Sequence, residues 1–509
     1  MQQIVLFISL LWVLAVIPAA AQSVQTDIAG AVNQVSVSRL QALLQEYEQL
    51  GIKNIGSQNL EATRAWIKQC YLDMGYAPEQ ISEHAFSYAQ KTLYNIVITK
   101  EGSLFPHIYI YLTAHYDSTP NGPGVNDNGS GTVTLLEIAR IIQSWDLPYS
   151  VRLVHFSAEE AGLVGSQRYV SEVAVPRHIA IRALINLDEV GGDKNKNNTF
   201  VHCERDESNT STVNNAISAH FTQRMANITE LYTSLNAVVS HAYASDYMPF
   251  EAAGYNIMGF YESYQTAHYH SSTDLLQNMD VPYFHKVVQA ALATLLHFAG
   301  EVPPQIERLS PQAGDSLYRS QPDSLLIDYD RPLQYFGGKL QIRRSSDDQV
   351  VQSITLQQNH IQGKSIKIAL SEKLAPGQGY YVTLPFGWVS GAEGILTDSL
   401  GKGQWQFYVK DETPPAEPAS PPLNNDTPQP QGLQLYPNPA GQELHIQLNG
   451  VKPQATLRVF NNEGKLIHEQ SLTSTANIRL DISQWARGVY FIKVEAKQKQ
   501  WVRRFEKVF

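Results

Sequence analysis

Cysteine is nearly absent: the 509-residue chain has two, Cys70 and Cys203. Two thiols cannot build the disulfide framework of a small secreted scaffold, nor a cysteine-rich zinc module. Charge is scarce as well, at 17% against about 25% in ordinary globular proteins. Positive charge is the scarcer sign, with 38 Lys and Arg against 48 Asp and Glu and a formal net charge of −10. That argues against nucleic acid as a main partner, because phosphate binding needs a positive footprint. No repeat of fixed period is visible, so a solenoid is excluded. What is present in quantity is apolar and aromatic residue, 43% and 10%, ample for a core. Tyr 26, Gly 32 and Pro 26 suggest the turns and strands of a secreted chain. At roughly 150 residues per domain the length allows about three domains.

The first 26 residues carry no charged side chain. Residues 4–17 are almost continuously apolar, and Pro18 is followed by Ala19, Ala20 and Ala21. Small residues closing a short apolar run read as an export signal, residues 1–21, cleaved after Ala21. A signal anchor is the alternative, but the run is short for a span of about 20 residues. No other stretch is apolar enough to cross a membrane. Export would permit a disulfide between Cys70 and Cys203. Their separation in sequence says nothing of their distance, so two buried thiols remain an equal alternative.

Residues 22–302 alternate helix and strand patterns. Residues 37–47 and 61–74 read as amphipathic helices, and 130–145, 165–173 and 281–298 as further helices. Residues 108–114, 151–157, 182–187 and 255–260 are short apolar runs with little alternation, as strands covered on both faces should be. The pattern predicts an α/β domain with a mostly parallel, twisted sheet and helices on both faces. Residues 303–410 change texture. Runs at 325–329, 339–343, 353–356, 365–370, 380–384 and 404–409 are separated by turns such as Gly337-Gly338, which suggests a small β-sandwich. Residues 411–432 carry seven prolines and read as a semi-rigid linker. A last β-rich block, again a small sandwich, fills 433–509.

Acidic residues and histidines gather just past the four strands of the first domain. The motifs are HYDS (115–118), PGVNDNGSG (123–131), FSAEEAGLVGS (156–166), NLDEVG (186–191), SDYMPF (245–250) and YHSSTD (269–274). Open parallel sheets bind ligands at the carboxyl ends of their strands, so these groups can converge on one rim. Imidazole and carboxylate oxygens together suit Zn²⁺ or a similar divalent ion. Two histidines with three or four carboxylates exceed the needs of one tetrahedral zinc. The glycine-rich loop fits a chain that bends sharply to aim Asp127 inward. Each piece has a plain alternative: Asp-Asn-Gly is a common turn, Glu159-Glu160 suits a first helical turn, and Asp188 can cap a loop. All of them would have to hold independently.

The order of these six motifs resembles the two-zinc exopeptidases of metallopeptidase family 28, over about residues 35–300. The resemblance implies a zinc exopeptidase-like fold and two Zn²⁺ ions bridged by Asp127. Glu160 and His270 would complete one site, and His115 and Asp188 the other. Glu159 would be the general base, and Asp117 would orient the His115 ring. Asn126 stands where the family often has Asp. Tyr243 is the nearest candidate for a tyrosine that holds the developing oxyanion, although its spacing from Asp246 is shifted. Ser245 reads equally well as a helix cap. Phe260, Tyr261 and Tyr264 are candidates for a pocket that takes an apolar side chain.

Residues 303–410 resemble bacterial Ig-like domains, on GYYVTL (379–384), Trp388 and WQF (405–407), with a spacer or adhesion role as the expectation. The last block resembles the C-terminal sorting domain of type IX secretion substrates. LYPNP (435–439), GVYFIKV (488–494) and the ending RRFEKVF (503–509) carry that resemblance. Residues 493–509 hold six basic and two acidic side chains, a cationic end on an acidic chain. Together these imply passage through the periplasm and outer membrane by the type IX machinery to the surface or medium. The leading expectation is a secreted zinc aminopeptidase acting on peptide or protein N-termini. Glutaminyl cyclase chemistry on the same fold, a carboxypeptidase and a non-catalytic adhesin are the alternatives. No G-x-S-x-G or H-E-x-x-H is present, which excludes the common serine hydrolase and zincin readings.

Overall fold

The computed structural model describes residues 23–207, 210–317 and 322–410, and most of 432–507. The expected export signal (1–21) and all but the last residue of the expected proline-rich linker (411–432) lie outside the described residues. Two compact units are present, residues 1–412 and 413–509.

The first unit begins with α1 (Thr26–Val32), α2 (Val37–Gln49) and α3 (Gln58–Asp73). Ser36 and Ser57 start α2 and α3, their hydroxyls accepting the backbone N–H of Arg39 and Leu60 as N-caps do. An antiparallel hairpin follows, β1 (Ile81–Tyr88) and β2 (Lys91–Lys100). Then come β3 (Phe105–His115), α4 (Gly129–Ile142), β4 (Tyr149–Phe156), α5 (Val164–Tyr169), β5 (Ala180–Leu187) and β6 (Phe200–Arg205). The last elements are α6 (Asn215–Tyr232), β7 (Asn236–His241), α7 (Met248–Ala252), β8 (Ile257–Tyr261) and α8 (Val281–Gly300).

The eight strands form one sheet in the order β1-β2-β4-β3-β5-β8-β6-β7. Pairs β3/β4, β3/β5, β5/β8 and β6/β7 are parallel, while β1/β2, β2/β4 and β6/β8 are antiparallel. The centre is therefore parallel and the rims mixed. Strands β4 and β5 are buried along nearly their whole length, which is why their sequences run apolar without alternating. One face packs on α2, α4 and α8 in the main core, and the other on Phe156, Tyr169, Val173 and Phe250 around α5 and α7. Both cysteines are free: Cys203 is buried on β6 and Cys70 half-buried on α3.

Residues 306–409 form a sandwich with its own core. One sheet carries Ser324–Tyr329 and Ser365–Ala369, the other Lys339–Arg344, Gln378–Thr383 and Gln406–Val409. Leu325, Ile327, Ile366, Ile342, Val382, Trp388 and Trp405 meet between them. The loop after Val389–Gly391 reaches into the first domain. Leu396 is fully buried in that domain's main core. Arg182 donates from Nη2 to Leu396 O at 2.6 Å and from Nη1 to the Asp398 carboxylate. Phe386 meets Phe221 edge to face, and the His220 ring pairs with Gly394 O at 2.7 Å. These residues thus take part in the first domain's packing, which the expected spacer role does not include.

The second unit holds a three-stranded sheet (Gly432–Tyr436, Glu443–Asn449, Ile478–Asp481) and a four-stranded one (Leu466–Leu472, Ala455–Asn461, Gly488–Ala496, Lys499–Lys507). Leu444, Ile446, Leu457, Val459, Ile492, Val494 and Phe505 fill the space between them. No helix among the described residues is long and apolar enough to cross a membrane.

Candidate active site

His115 is the last residue of β3, and Glu159 and Glu160 lie three and four residues past β4. Asp188 directly follows β5. Parallel neighbours end at the same rim, so three strands deliver these side chains to one place. Asp127 arrives from the loop that leads into α4. Gly124 turns that loop at φ +63°, where a Cβ would lie 2.2 Å from Asp127 O. Gly131, in the first turn of α4, sits so close to the sheet that a Cβ would meet Leu187 O at 2.5 Å and Ala114 Cβ at 2.9 Å. The helix start therefore seats Asp127 directly above β3 and β5. Asn128 caps α4, accepting from Gly131 N at 2.8 Å.

Asp127 stands between the two histidines. Its Oδ1 is 3.2 Å from His115 Nε2 and its Oδ2 is 3.0 Å from His270 Nε2. Asp188 Oδ1 lies 3.3 Å from His115 Nε2, and Glu160 Oε2 lies 3.0 Å from His270 Nε2. Glu159 is set slightly back, its Oε2 3.8 Å from His115 Nε2. Two groups of potential ligands result, His115 with Glu159 and Asp188, and Asp127 with Glu160 and His270. Residues 243–247 and 261–270 close the opposite side of an open pocket of about 260 Å³.

The donor set fits divalent cations. His115 Nε2, Glu160 Oε1 and Asp188 Oδ1 are buried and make no hydrogen bond, an expensive arrangement unless something else meets those atoms. Burial pushes the Glu159 carboxyl up to about 10, with Asp188, Asp246 and Asp117 adding and His115 opposing. Glu160 is pushed up to about 9 by burial and by Asp127. Burial also opposes charge on Asp127, but the His115 and His270 rings outweigh it and hold that carboxyl at about 2. His115 is pulled the other way: burial disfavours its charged form, yet Asp188 and Glu159 keep it well above the ordinary imidazole range. So much negative charge in one buried place calls for positive charge.

The surrounding shell is hydrogen-bonded. Asp117 accepts the backbone N–H of Glu159 and Glu160, at 3.1 and 3.3 Å. Its carboxylate is 3.7 Å from His115 Nδ1, whereas its backbone oxygen is nearer at 3.2 Å. Asp117 thus fixes the turn that carries Glu159 and Glu160, and its main chain meets the His115 ring. Ser245 is no helix cap: α7 begins after Tyr247, and Ser245 Oγ donates to Asp188 Oδ2 at 2.7 Å. Asn186 Nδ2 donates to Ser245 Oγ at 2.8 Å, and Thr113 Oγ1 to Asn186 Oδ1 at 2.7 Å. Asp274 received no role from sequence. It accepts the N–H groups of Asn126 and Asp127, at 2.8 and 3.0 Å; its place at the end of YHSSTD, beside the candidate ligand His270, is the available signal. Asn126 is structural, bonded to Glu262 and to Gly191 N.

Tyr243 lines the pocket, half exposed, with its ring edge-on to Tyr261 at 5.8 Å. Of the three expected pocket aromatics only Tyr261 lines it. Phe260 points to the opposite face of β8 and is buried in the main core, as strand alternation requires. Tyr264 packs edge-on against Phe200.

Residues 95–295 match Peptidase family M28, and residues 434–507 match the Secretion system C-terminal sorting domain. Over 106 residues the chain is 41% identical to the aminopeptidase YwaD of Bacillus subtilis, covering 21% of this chain and 23% of that protein. Over 100 residues it is 43% identical to an aminopeptidase of Pseudomonas aeruginosa, covering 19% and 18%. The chain thus spans about a fifth of the length of these curated relatives. Among solved structures it resembles LapB from Legionella pneumophila, at 18% identity and TM-score 0.49, over 56% of this chain and 77% of that one. It also resembles BSAP, a zinc aminopeptidase from Bacillus subtilis, at 26% identity and TM-score 0.38, over 42% and 52%. Two separate stretches of the chain thus resemble known domains, one a family M28 peptidase and the other a secretion sorting domain.

Proposed function

We infer that this protein is an exported zinc-dependent aminopeptidase that removes residues from the N-termini of peptides. The observation that carries the reading is Asp127, whose two oxygens each reach a different histidine while Asp188 and Glu160 close the two sides. The relatives over the M28 region are named aminopeptidases, which supports the peptide N-terminus as substrate.

In this reading two Zn²⁺ ions would be held by His115, Asp188 and Asp127 and by His270, Glu160 and Asp127. Bound there, they would acidify water and polarise the scissile carbonyl. The protein's own groups do the rest. Glu159, close to the ligands but set back from them, takes the proton of the attacking water and delivers it to the leaving amine. Asp117 keeps Glu159 in place through its backbone. Tyr243, on the pocket wall, offers a hydroxyl to the oxygen that gains negative charge. The sorting domain supports type IX export, with the segment at 1–21 removed on the way out and the C-terminal domain at the cell surface.

The test is digestion of matched peptides, free and N-acetylated, by the zinc-loaded full chain, followed by mass spectrometry. Stepwise loss from free N-termini alone is expected. Loss from C-termini makes it a carboxypeptidase, and conversion of N-terminal glutamine without hydrolysis makes it a cyclase; either rejects the reading. Glu159→Gln should keep its zinc and lose at least about a hundredfold in kcat; retained turnover in the metal-loaded variant removes the base from Glu159.

A further inference from the structure

Two carboxylates of the pocket have no part in the reaction just described, Glu189 and Glu204. Glu189 follows the ligand Asp188 and turns back at φ +47°. It is 6% exposed, and its buried Oε2 makes no hydrogen bond. Glu204, on β6, is 4% exposed, and Tyr247 Oη donates to its Oε2 at 2.9 Å. Among the described residues no lysine or arginine lines this pocket. Buried carboxylates are normally paired. Two that line an open pocket with no lysine or arginine on its wall favour a cationic visitor, whose ammonium or guanidinium can donate to them.

The remaining wall suits the rest of such a side chain. Tyr243, Tyr261 and Tyr269 line the pocket, and Tyr269 is held by stacking on His270. Aromatic faces cover an aliphatic stem and attract a cation at its end. A purely apolar side chain would leave Glu189 Oε2 without a partner in a drier pocket.

We propose that this pocket selects N-terminal residues with a cationic side chain, lysine or arginine, through Glu189 and Glu204. The proposal rests on the aminopeptidase reading and replaces the apolar preference expected from sequence. The discriminating pair is lysine and norleucine, which share the α-amine and the stem and differ in the terminal ammonium. On the zinc-loaded full chain, calorimetry should find L-lysine bound about tenfold more tightly than L-norleucine. Lysyl-p-nitroanilide should exceed norleucyl-p-nitroanilide in kcat/KM by a similar factor. Both ratios should fall toward one in Glu189→Gln and in Glu204→Gln. Equal or tighter binding of norleucine by the unmodified protein overturns the proposal and leaves the aminopeptidase reading intact. A lysine preference that survives both substitutions overturns the assignment to these residues. If neither anilide is cleaved, the aminopeptidase reading falls, and the binding ratio still decides the pocket.

Discussion

The hydroxyl of Ser245 decides which way Asp188 faces. It donates to Asp188 Oδ2 and accepts from Asn186, so Ser245→Ala strips a donor from the proposed ligand Asp188 and an acceptor from a buried amide at once. Losing such an outer partner typically costs about 10–100-fold in metal affinity. Competition against a chromogenic chelator should show that loss in the His115 site; unchanged affinity would reject the role. In the sequence this serine could not be told from a helix cap, because its partner lies 57 residues away. Four of the candidate ligands were easier to place, since His115, Glu160 and Asp188 lie at or just past recognisable strands and Asp127 in a glycine-marked loop, whereas His270 lies well beyond the end of β8. His155 is a second residue whose effect can be computed in sign. It is fully buried on β4, with Tyr71 Oη 2.8 Å from its Nε2. Burial lowers its pKa from 6.5 to about 3. The unfolded chain therefore binds a proton between those values that the folded chain refuses. Its contribution to stability is whole above pH 6.5 and is lost as pH falls toward about 3. In His155→Asn the melting temperature should fall less steeply across that window than in the parent, whatever its value at neutral pH. Parallel slopes would show that other groups govern the acid limb.

Among the elements, the β1–β2 hairpin shows what a sequence hides. Tyr88 pairs directly with Lys91, so the loop is two residues, Ala89 and Gln90, at φ 47° and 62°. That is the geometry Asn-Gly ordinarily supplies, and with Ala-Gln in its place no turn signal marks the hairpin. The same backbone makes a prediction. A left-handed conformation costs an ordinary residue about 1–2 kcal/mol, and glycine returns part of the gain as unfolded-state entropy. Replacing Ala89-Gln90 with Asn-Gly should raise stability by about 1 kcal/mol, read as a higher urea midpoint at unchanged slope. A lower midpoint would mean the alanine and glutamine side chains carry packing that the turn type does not reveal. Strands β3, β4, β5 and β8 were legible because both their faces are covered, α2 and α3 because each has one apolar stripe, and α4 and α8 because their apolar runs, buried on most residues, are longer than a strand. Strand β6 and helix α6 were not: α6 lacks a side-chain cap, and β6 mixes His, Cys, Glu and Arg in six residues. Glu204 rides on that unrecognised strand, so its arrival beside the ligands could be seen only in three dimensions.

At the scale of the molecule, the boundary drawn near residue 302 separates two sequence textures but not two independent structures. Arg182 is 5% exposed, and its guanidinium lies over the Tyr149 and Phe386 rings at 4.9 and 5.0 Å. Its partners, Asp398 and Leu396 O, both come from the sandwich. Tyr149 Oη donates to the same Asp398 at 3.2 Å. Removing one partner of a buried pair costs about 3–5 kcal/mol, because the other charge is left stranded; here Arg182 is buried but Asp398 is partly exposed, which sets the lower end. Asp398→Ala should therefore lower stability by about 3 kcal/mol, although it lies outside the pocket and supplies no ligand. Deletion goes further: a chain ending at residue 302 loses Leu396 from its own core along with both partners of Arg182. A chain ending at residue 410 keeps all of these, and the sorting domain it loses has a separate core. Calorimetry should then show one cooperative transition for the chain ending at 410, at the temperature of the first unit in the full chain. The chain ending at 302 should show a much lower transition or none. If both truncations melt alike, the sandwich is a passenger on the first domain, and the Arg182 contacts add nothing measurable to its stability.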